Sequence, residues 1–452
     1  MKSLLFQCAV ALGVLATAPP LHAQTTTLPA PDIDCEDLPE PKVFVEAGDT
    51  QMTLLADLAR DLRDADPPIT LVYVPASTCT LVEDIFDGRP WAVPGTPFRY
   101  APSRRDVPDS QWNRATPRQC NFPEGGQPID VGIGATFISS CSQTVLDKQP
   151  ENIAVFNGPA QAYGFIVPEG ELETAGSAIT REEAYWVISG NGAAQNVTPW
   201  TFEPNPTNGT PSLYIRRATT STLLTMAGNV APDILPASLW IGYRLEGQDD
   251  RSTVVINGVA QASAPTRSGT IGILGIDLYD QRREDLDMLA YKAAGQSYAF
   301  FPDSSASRRD KRNVRDGHYV PWGYTQYLYE VDDEGEPVKD EIKRILEIIS
   351  SETEVRLVGQ SDLPANQRYD RDAIDILKRN GLVPECAMKV TRSVEGGPLS
   401  VFEPGHPCHC YYESVEDPGI EADERFTNRC VSCERDRDCA SGACNRGFCE
   451  AQ

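Results

Sequence analysis

Three short turns carry residue types suited to holding an anion: Gly48-Asp49-Thr50, Ala76-Ser77-Thr78 and Thr219-Thr220-Ser221-Thr222. Each follows a β-rich run and precedes apolar residues at helical spacing. The start of a helix exposes unpaired N–H groups and the positive end of the helix dipole. Hydroxyls placed there either cap the helix or bond a ligand. Several such ends converging on one cleft bind an oxyanion without needing many basic side chains. Arg217, with Arg216 beside it, stands next to the last turn and adds a cation. Ordinary N-capping accounts for any one turn taken singly. The three together, with the arginine, favour a shared ligand.

Other chemistry is poorly represented. The 40 basic and 65 acidic residues leave a net charge of −25. Such a surface repels nucleic acid and anionic lipid at long range, which excludes a general nucleic-acid binder. The sequence has no Ser/His/Asp order, no His-rich metal cluster and no Gly-rich nucleotide loop, so a phosphate-handling hydrolase is disfavoured and no cofactor is expected. His318 reads as a surface or hinge residue, and Trp186, Trp200, Trp240 and Trp322 read as core.

The beginning of the chain reads as an export signal: Lys2, a mostly apolar run from Leu4 to Ala18, then Leu21-His22-Ala23 with cleavage expected before Gln24. No later stretch is long and apolar enough to span a bilayer. The mature chain is expected to be exported, in the periplasm or at the surface of a bacterium. Twelve cysteines follow the signal: Cys35, Cys79, Cys120, Cys141, Cys386, Cys408, Cys410, Cys430, Cys433, Cys439, Cys444 and Cys449. An even number in an exported chain implies disulfides. Four precede residue 142 and eight follow residue 385, so each group is able to close on itself, and the pairing stays open. His406-Pro407-Cys408-His409-Cys410 has ligand types that suit zinc, but an oxidising compartment favours disulfides there.

The elements that must position the turns alternate. After an irregular lead-in at 24–42, a short strand at 43–47 is followed by a helix at 51–64, with Leu54, Leu55, Leu58 and Leu62 on one face. A strand at 69–74 leads to a helix carrying Leu81, Val82, Ile85 and Phe86. Residues 88–128 have no clean period and read as an insertion. β character returns at 129–137 and 152–168. Thr180 and Glu183 form a capping-box pattern. A strand at 213–215 leads to a helix from Leu223, and helices are expected at 337–352 and 370–380. Strand–helix alternation points to an α/β architecture with parallel sheet. From about residue 397 the apolar period disappears and cysteine dominates.

The order of these motifs resembles the phosphate-binding proteins of ABC transporters, which are type 2 periplasmic solute-binding proteins. The residues that carry it are Gly48-Asp49-Thr50, Ser77-Thr78, Asp130-Val131-Gly132-Ile133-Gly134, Ile179-Thr180-Arg181-Glu182-Glu183 with Ser189-Gly190 and Trp200, Arg217-Ala218-Thr219-Thr220-Ser221-Thr222, Gly269-Thr270-Ile271-Gly272, and Asp316-Gly317-His318-Tyr319-Val320-Pro321. The resemblance covers roughly 43–330. It implies two α/β lobes joined by hinge strands, with the ligand between them. One lobe would take 43–140 and the return segment 275–396, the other 141–274, and 397–452 would be a small disulfide-rich module.

The resemblance also implies ligand-binding residues: Asp49 and Thr50, then Ser77 or Thr78, then Thr136, then Arg217, Thr219, Ser221 and Thr222. Arg217 carries a one-residue ambiguity with Arg216. Two positions depart from the family's pattern. Thr136 lies near the place of its aspartate, and Thr219 stands where Arg-x-Asp-Gly-Ser-Gly-Thr has its acid, with both glycines replaced. A buried carboxylate beside an oxyanion demands a proton on that anion, so selection for protonated phosphate is not expected here. The implied role is a monomeric solute-binding protein, not an enzyme, that presents a small oxyanion such as phosphate to a membrane transporter. The altered turn at Thr219 and the Cys-rich tail favour an alternative: a cell-surface interaction or adhesion protein that kept the fold and lost the ligand.

Overall fold

A computed structural model describes residues 30–31, 33–172, 177–189, 213–216, 220–231, 252–263, 267–415, 430–440 and 442–450. The export signal, Gly190, Trp200, Arg217, Thr219 and Trp240 lie outside the described residues.

The strands are β1 (Ile33–Asp34), β2 (Lys42–Gly48), β3 (Thr70–Ala76), β4 (Phe98–Tyr100), β5 (Arg118–Asn121), β6 (Val131–Gly134), β7 (Ile153–Pro168), β8 (Ala178–Thr180), β9 (Leu213–Tyr214), β10 (Ile271–Gly275), β11 (Leu286–Met288), β12 (Ala290–Lys292) and β13 (Trp322–Glu330). Between them run α1 (Met52–Arg63), α2 (Thr78–Phe86), α3 (Gln143–Leu146), α4 (Arg181–Ser189), α5 (Ser221–Val230), α6 (Ser252–Ala260), α7 (Ile276–Asp280) and α8 (Arg312–Arg315), with α9 (Asp340–Ser350), α10 (Ala373–Arg379) and α11 (His409–Ser414) after β13.

One hydrogen-bonded path orders the sheet β1-β5-β4-β3-β2-β6-β13-β7-β10-β9, with β11 added on β7. The chain is thus an α/β protein of two lobes that share two strands. β7 pairs with β13 from Ile153 to Ala162, then with β10 and β11 from Tyr163 to Pro168. β13 pairs with β6 of the first lobe on its other edge. A bulge interrupts the shared ladder: Tyr324 faces Ala160 but Gln326 faces Asn157, so β7 carries one extra residue at the crossing.

Burial explains why these runs are strands. Val43, Val45 and Ala47 of β2 enter one core with Leu54, Leu55, Leu58 and Leu62 of α1, while Phe44 enters another with Val72, Val74 and Phe98. Both faces are covered, as in parallel sheet. The second lobe has its own core, built from β7, β10, α5 and α6. The capping box at Thr180 is formed: the Thr180 amide donates to Glu183 Oε2 at 2.7 Å, and the Glu183 amide to Thr180 Oγ1 at 3.2 Å. The 88–128 region holds two strands after all. β4 and β5 pair antiparallel and extend the sheet edge, and at three and four residues they are too short to show a period. Trp322 is core, but Trp186 is half exposed. On α4 it lies two residues from buried Ala184, which puts it on the opposite helix face.

The cysteines close within their two groups. The pairs are Cys35–Cys120, Cys79–Cys141, Cys386–Cys408, Cys410–Cys430, Cys433–Cys444 and Cys439–Cys449. Cys408 and Cys410 are therefore spent on disulfides rather than on zinc. Residues 397–415, which composition sets apart, pack against the second core through Phe402, Cys408, Tyr412 and Val415. Residues 430–450 form a three-stranded sheet of two-residue strands (Val431–Ser432, Cys444–Asn445, Phe448–Cys449). Two buried charges dock it. Arg446 donates to Asp372 Oδ2 at 3.2 Å, and Glu450 accepts from the amides of Cys410 and Tyr411 at 2.8 and 3.0 Å.

So short a sheet cannot stand without its cross-links, each of which contributes on the order of 2–4 kcal/mol. Mild reductant is expected to expose 430–450 to protease before either lobe, and a chelator alone to change nothing. Limited proteolysis with mass mapping checks this; release by chelator alone, or cleavage in the lobes first, contradicts it.

Candidate interlobe binding site

The parallel order β3-β2-β6 places three of the expected turns side by side. Gly48 is level with Ala76, and Ala47 with Ile133, so Thr50, Thr78 and Thr136 emerge along one edge, from strands about 4.8 Å apart. Ligands of open α/β sheets bind beyond the carboxyl ends of parallel strands. The Cys79–Cys141 disulfide ties the first turn of α2 to the segment that follows Thr136. In the second lobe β9 and β10 are also parallel. β9 leads through Arg216 towards α5, and β10 leads directly into α7.

Polar contacts join the two edges. Arg216 Nη1 donates to Asp49 Oδ2 at 3.2 Å and to Ser252 Oγ at 2.8 Å, and the Ser252 amide donates to the same Asp49 oxygen at 3.1 Å. Arg216, the alternative to Arg217, is therefore the arginine held at the cleft by Asp49. Tyr163 of β7 donates its hydroxyl to the Ala135 carbonyl at 2.7 Å. Burial keeps it protonated, and the Ser221 and Thr50 hydroxyls stand beside it. Gly275, at the end of β10, packs on Thr50: a Cβ there would lie 3.2 Å from Thr50 Cγ2.

A second chain of contacts runs behind Thr50. Gln51 Nε2 donates to Gln161 Oε1 at 3.0 Å, and Gln161 Nε2 to Asp277 Oδ1 at 2.8 Å. Asp277 is buried at the start of α7, and its carboxyl is pushed up to about 8, first by burial; the nearby charges of Asp280 and Asp49 add to the rise. Sequence reasoning missed Gln51, Gln161, Ser252 and Asp277. Gln51 and Asp277 each follow a strand–turn junction, and that signal was available.

Ser77 and Thr220, the N-cap residues of α2 and α5, make no side-chain capping bond, and neither does Gln51 before α1. Four donors stand without a well-formed hydrogen bond: Thr50 Oγ1, which lies beside the Tyr163 hydroxyl oxygen, Thr78 Oγ1, Thr222 Oγ1 and Arg216 Nε. Their residues are only 3%, 1%, 1% and 8% exposed. Ser77 differs from Thr78, for its hydroxyl is shared with Thr80 Oγ1 at 2.7 Å. Thr136 is committed elsewhere: it donates to Glu395 Oε2 at 2.5 Å and accepts from Thr225 Oγ1 at 3.0 Å.

No family model matches the chain, and no curated protein matches it. Among solved structures, an ABC-type phosphate transport receptor from Vibrio cholerae aligns at 9% identity and TM-score 0.38, over 68% of this chain and 93% of that one. A phosphate ABC transporter substrate-binding protein with bound phosphate from Clostridium perfringens aligns at 8% identity and TM-score 0.43, over 76% and 99%. The reduced OxyR regulatory domain from Pseudomonas aeruginosa aligns at 10% identity and TM-score 0.35, over 68% and 94%. Solute-binding proteins and a regulatory domain stand side by side at these values. Any functional reading must therefore come from this chain's own residues.

A buried hydroxyl without a partner costs stability. Thr50→Val, Thr78→Val and Thr222→Val are each expected to leave the ligand-free protein unchanged or up to about 1 kcal/mol more stable in urea melts. A clear loss in all three would mean that these hydroxyls are bonded without a ligand.

Asp277 gives a pH signature. Its folded pKa lies above the unfolded value, so the native state holds the proton more tightly and this group costs increasing stability as pH rises from about 4 to 8. Asp277→Asn is expected to gain on the wild type between those limits. Part of the slope should survive, because burial also pushes Glu46 up to about 8. Identical urea midpoint profiles across this range would contradict a raised Asp277.

Proposed function

We propose that this chain is an exported, non-enzymatic binding protein that captures a small tetrahedral oxyanion, of the phosphate class, between its two lobes. The observation that carries the reading is the set of four unpartnered donors. Three hydroxyls, one in the turn before α1 and two in the first turns of α2 and α5, together with the Nε of Arg216, are buried and drawn from both lobes. Each orphan costs about 1–3 kcal/mol when left unsatisfied, and a ligand oxygen between the lobes relieves several at once. Asp49 orients Arg216 from the opposite lobe, so closure and capture use the same arginine. Asp130 of the Asp130-Val131-Gly132-Ile133-Gly134 stretch accepts from the Phe44 amide at 2.9 Å and pairs with Lys339 at 2.7 Å. Six disulfides fit an oxidising, extracytoplasmic compartment. The docked Cys-rich module supplies a surface for a transporter or another cell-surface partner.

Asp277, protonated near neutral pH, offers a donor rather than an acceptor. The site is therefore suited to fully deprotonated oxyanions as well as to protonated ones. Thermal melts with phosphate, sulfate and molybdate are expected to show stabilisation, reaching about 2.7 kcal/mol at a hundredfold excess over Kd. Phosphate affinity should vary only weakly between about pH 5 and 8 while its second proton is lost. Arg216→Gln should abolish the shift. Absence of a shift with every oxyanion would instead favour an interaction protein that retains the fold alone.

A further inference from the structure

Strands Val390–Thr391 and Ser400–Val401 pair antiparallel, and the loop between them enters the region between the lobes. Glu395, in that loop, is buried. A buried carboxyl is costly unless hydrogen bonded, and this one is met from several sides. Oε2 accepts from Thr136 Oγ1 at 2.5 Å and Oε1 from Asn229 Nδ2 at 3.4 Å. The amides of Phe137 and Gly396 also donate to it, and burial raises its pKa.

Glycines make the room. A Cβ on Gly323 would lie 2.4 Å from Glu395 Oε2, and one on Gly228 would lie 3.0 Å from its Cγ. Gly396 has φ of +65°, and a Cβ there would lie 2.0 Å from the Gly228 carbonyl oxygen. The loop backbone thus rests on the backbone of α5, which only glycine permits. At the other end of the loop, Arg392 donates to Asn229 Oδ1 at 3.1 Å and to the Trp322 carbonyl at 3.2 Å, and lies 4.5 Å over the Trp322 ring.

These contacts join three parts. Thr136 and Phe137 follow β6 in the first lobe, Thr225, Gly228 and Asn229 belong to α5 in the second, and Trp322 and Gly323 begin the shared strand β13. α5 is the helix whose first turn carries Ser221 and Thr222. Resting on the reading of that turn as part of the oxyanion site, we infer that loop Arg392–Gly396 is a built-in latch, in which Glu395 is a positioning residue that ties α5 to Thr136 and sets the spacing of the two lobes. Glu395 acts through Thr136 and α5 rather than on the ligand. Parting the lobes strips the carboxyl of its donors, so the latch biases the unliganded protein toward closure. A ligand that needs the closed form gains affinity by the same bias.

Small-angle scattering and amide exchange on the ligand-free protein read the latch without any ligand. Glu395→Ala is expected to enlarge the radius of gyration and to speed exchange at Ala160–Ala162 and Trp322–Tyr324. Glu395→Gln keeps the size and one acceptor oxygen for Thr136 but turns an N–H group toward the remaining donors, so it should fall between the wild type and Glu395→Ala. Arg392→Met, at the other anchor, should repeat the expansion and keeps the test open if Glu395→Ala does not fold. Inorganic phosphate should bind about tenfold more weakly to Glu395→Ala, with a smaller loss in Glu395→Gln, a coupling of ordinary size. Wild-type scattering and exchange in both Glu395→Ala and Arg392→Met overturns the latch, whatever phosphate does. Expansion of the variants in a protein that binds no phosphate supports the latch and removes the oxyanion reading instead.

Discussion

The β7–β13 ladder is the constraint from which the rest follows. These two strands belong to both lobes, and β7 changes partners at Tyr163 without a break. The partner change fixes where the lobes meet, and hence which turns face one another. The one-residue bulge lies between Asn157 and Ala160, just before that switch. Bulges bend and twist a ladder locally, so a small change there moves one lobe relative to the other while both cores stay intact. Asp49 and Arg216, Tyr163 and Ala135, and Thr136 and Glu395 are all consequences of that juxtaposition.

The polar inventory of the cleft is uneven. Elsewhere, several buried charges are paired, Arg104 with Asp61 and Lys311 with Asp280 and Asp303, whereas Glu46 is buried with neither carboxyl oxygen bonded. At the cleft, four donors stand unpartnered together with two further oxygens, Gln51 Oε1 and Asp277 Oδ2, in a chain of net charge −25. Buried polar groups are normally satisfied. Four unsatisfied donors along the facing edges of the lobes depart from that rule, as Thr53, Tyr73 and Tyr327 also do away from the cleft, and a ligand-binding site is one place where such a departure is expected.

Much of this was legible in the sequence, because the signals are local. Strand, hydroxyl-bearing turn and apolar helix face recur within about twenty residues, and the leucines of α1 and the isoleucines of α9 point inward as their spacing predicts. What was not legible depends on distant pairing. The run 152–168 is uniformly β-rich, and nothing in it marks Tyr163 as the switch point. β4 and β5 are too short to carry a period. The choice between Arg216 and Arg217 turns on one residue of register after β9. Glu395 lies at the end of the 275–396 return segment with no motif around it, and only its position beneath Gly323 and Gly228 reveals that it is buried between the lobes.

Anomalous diffraction from crystals soaked in tungstate or molybdate tests the central claim most directly, because it locates a tetrahedral oxyanion without assuming which residues hold it. The account predicts one dominant peak between the lobes, with oxygens about 2.7–3.2 Å from the hydroxyls of Thr50, Thr78 and Thr222 and from Arg216 Nε. An empty cleft at saturating anion, or peaks confined to the outer surface, would contradict it.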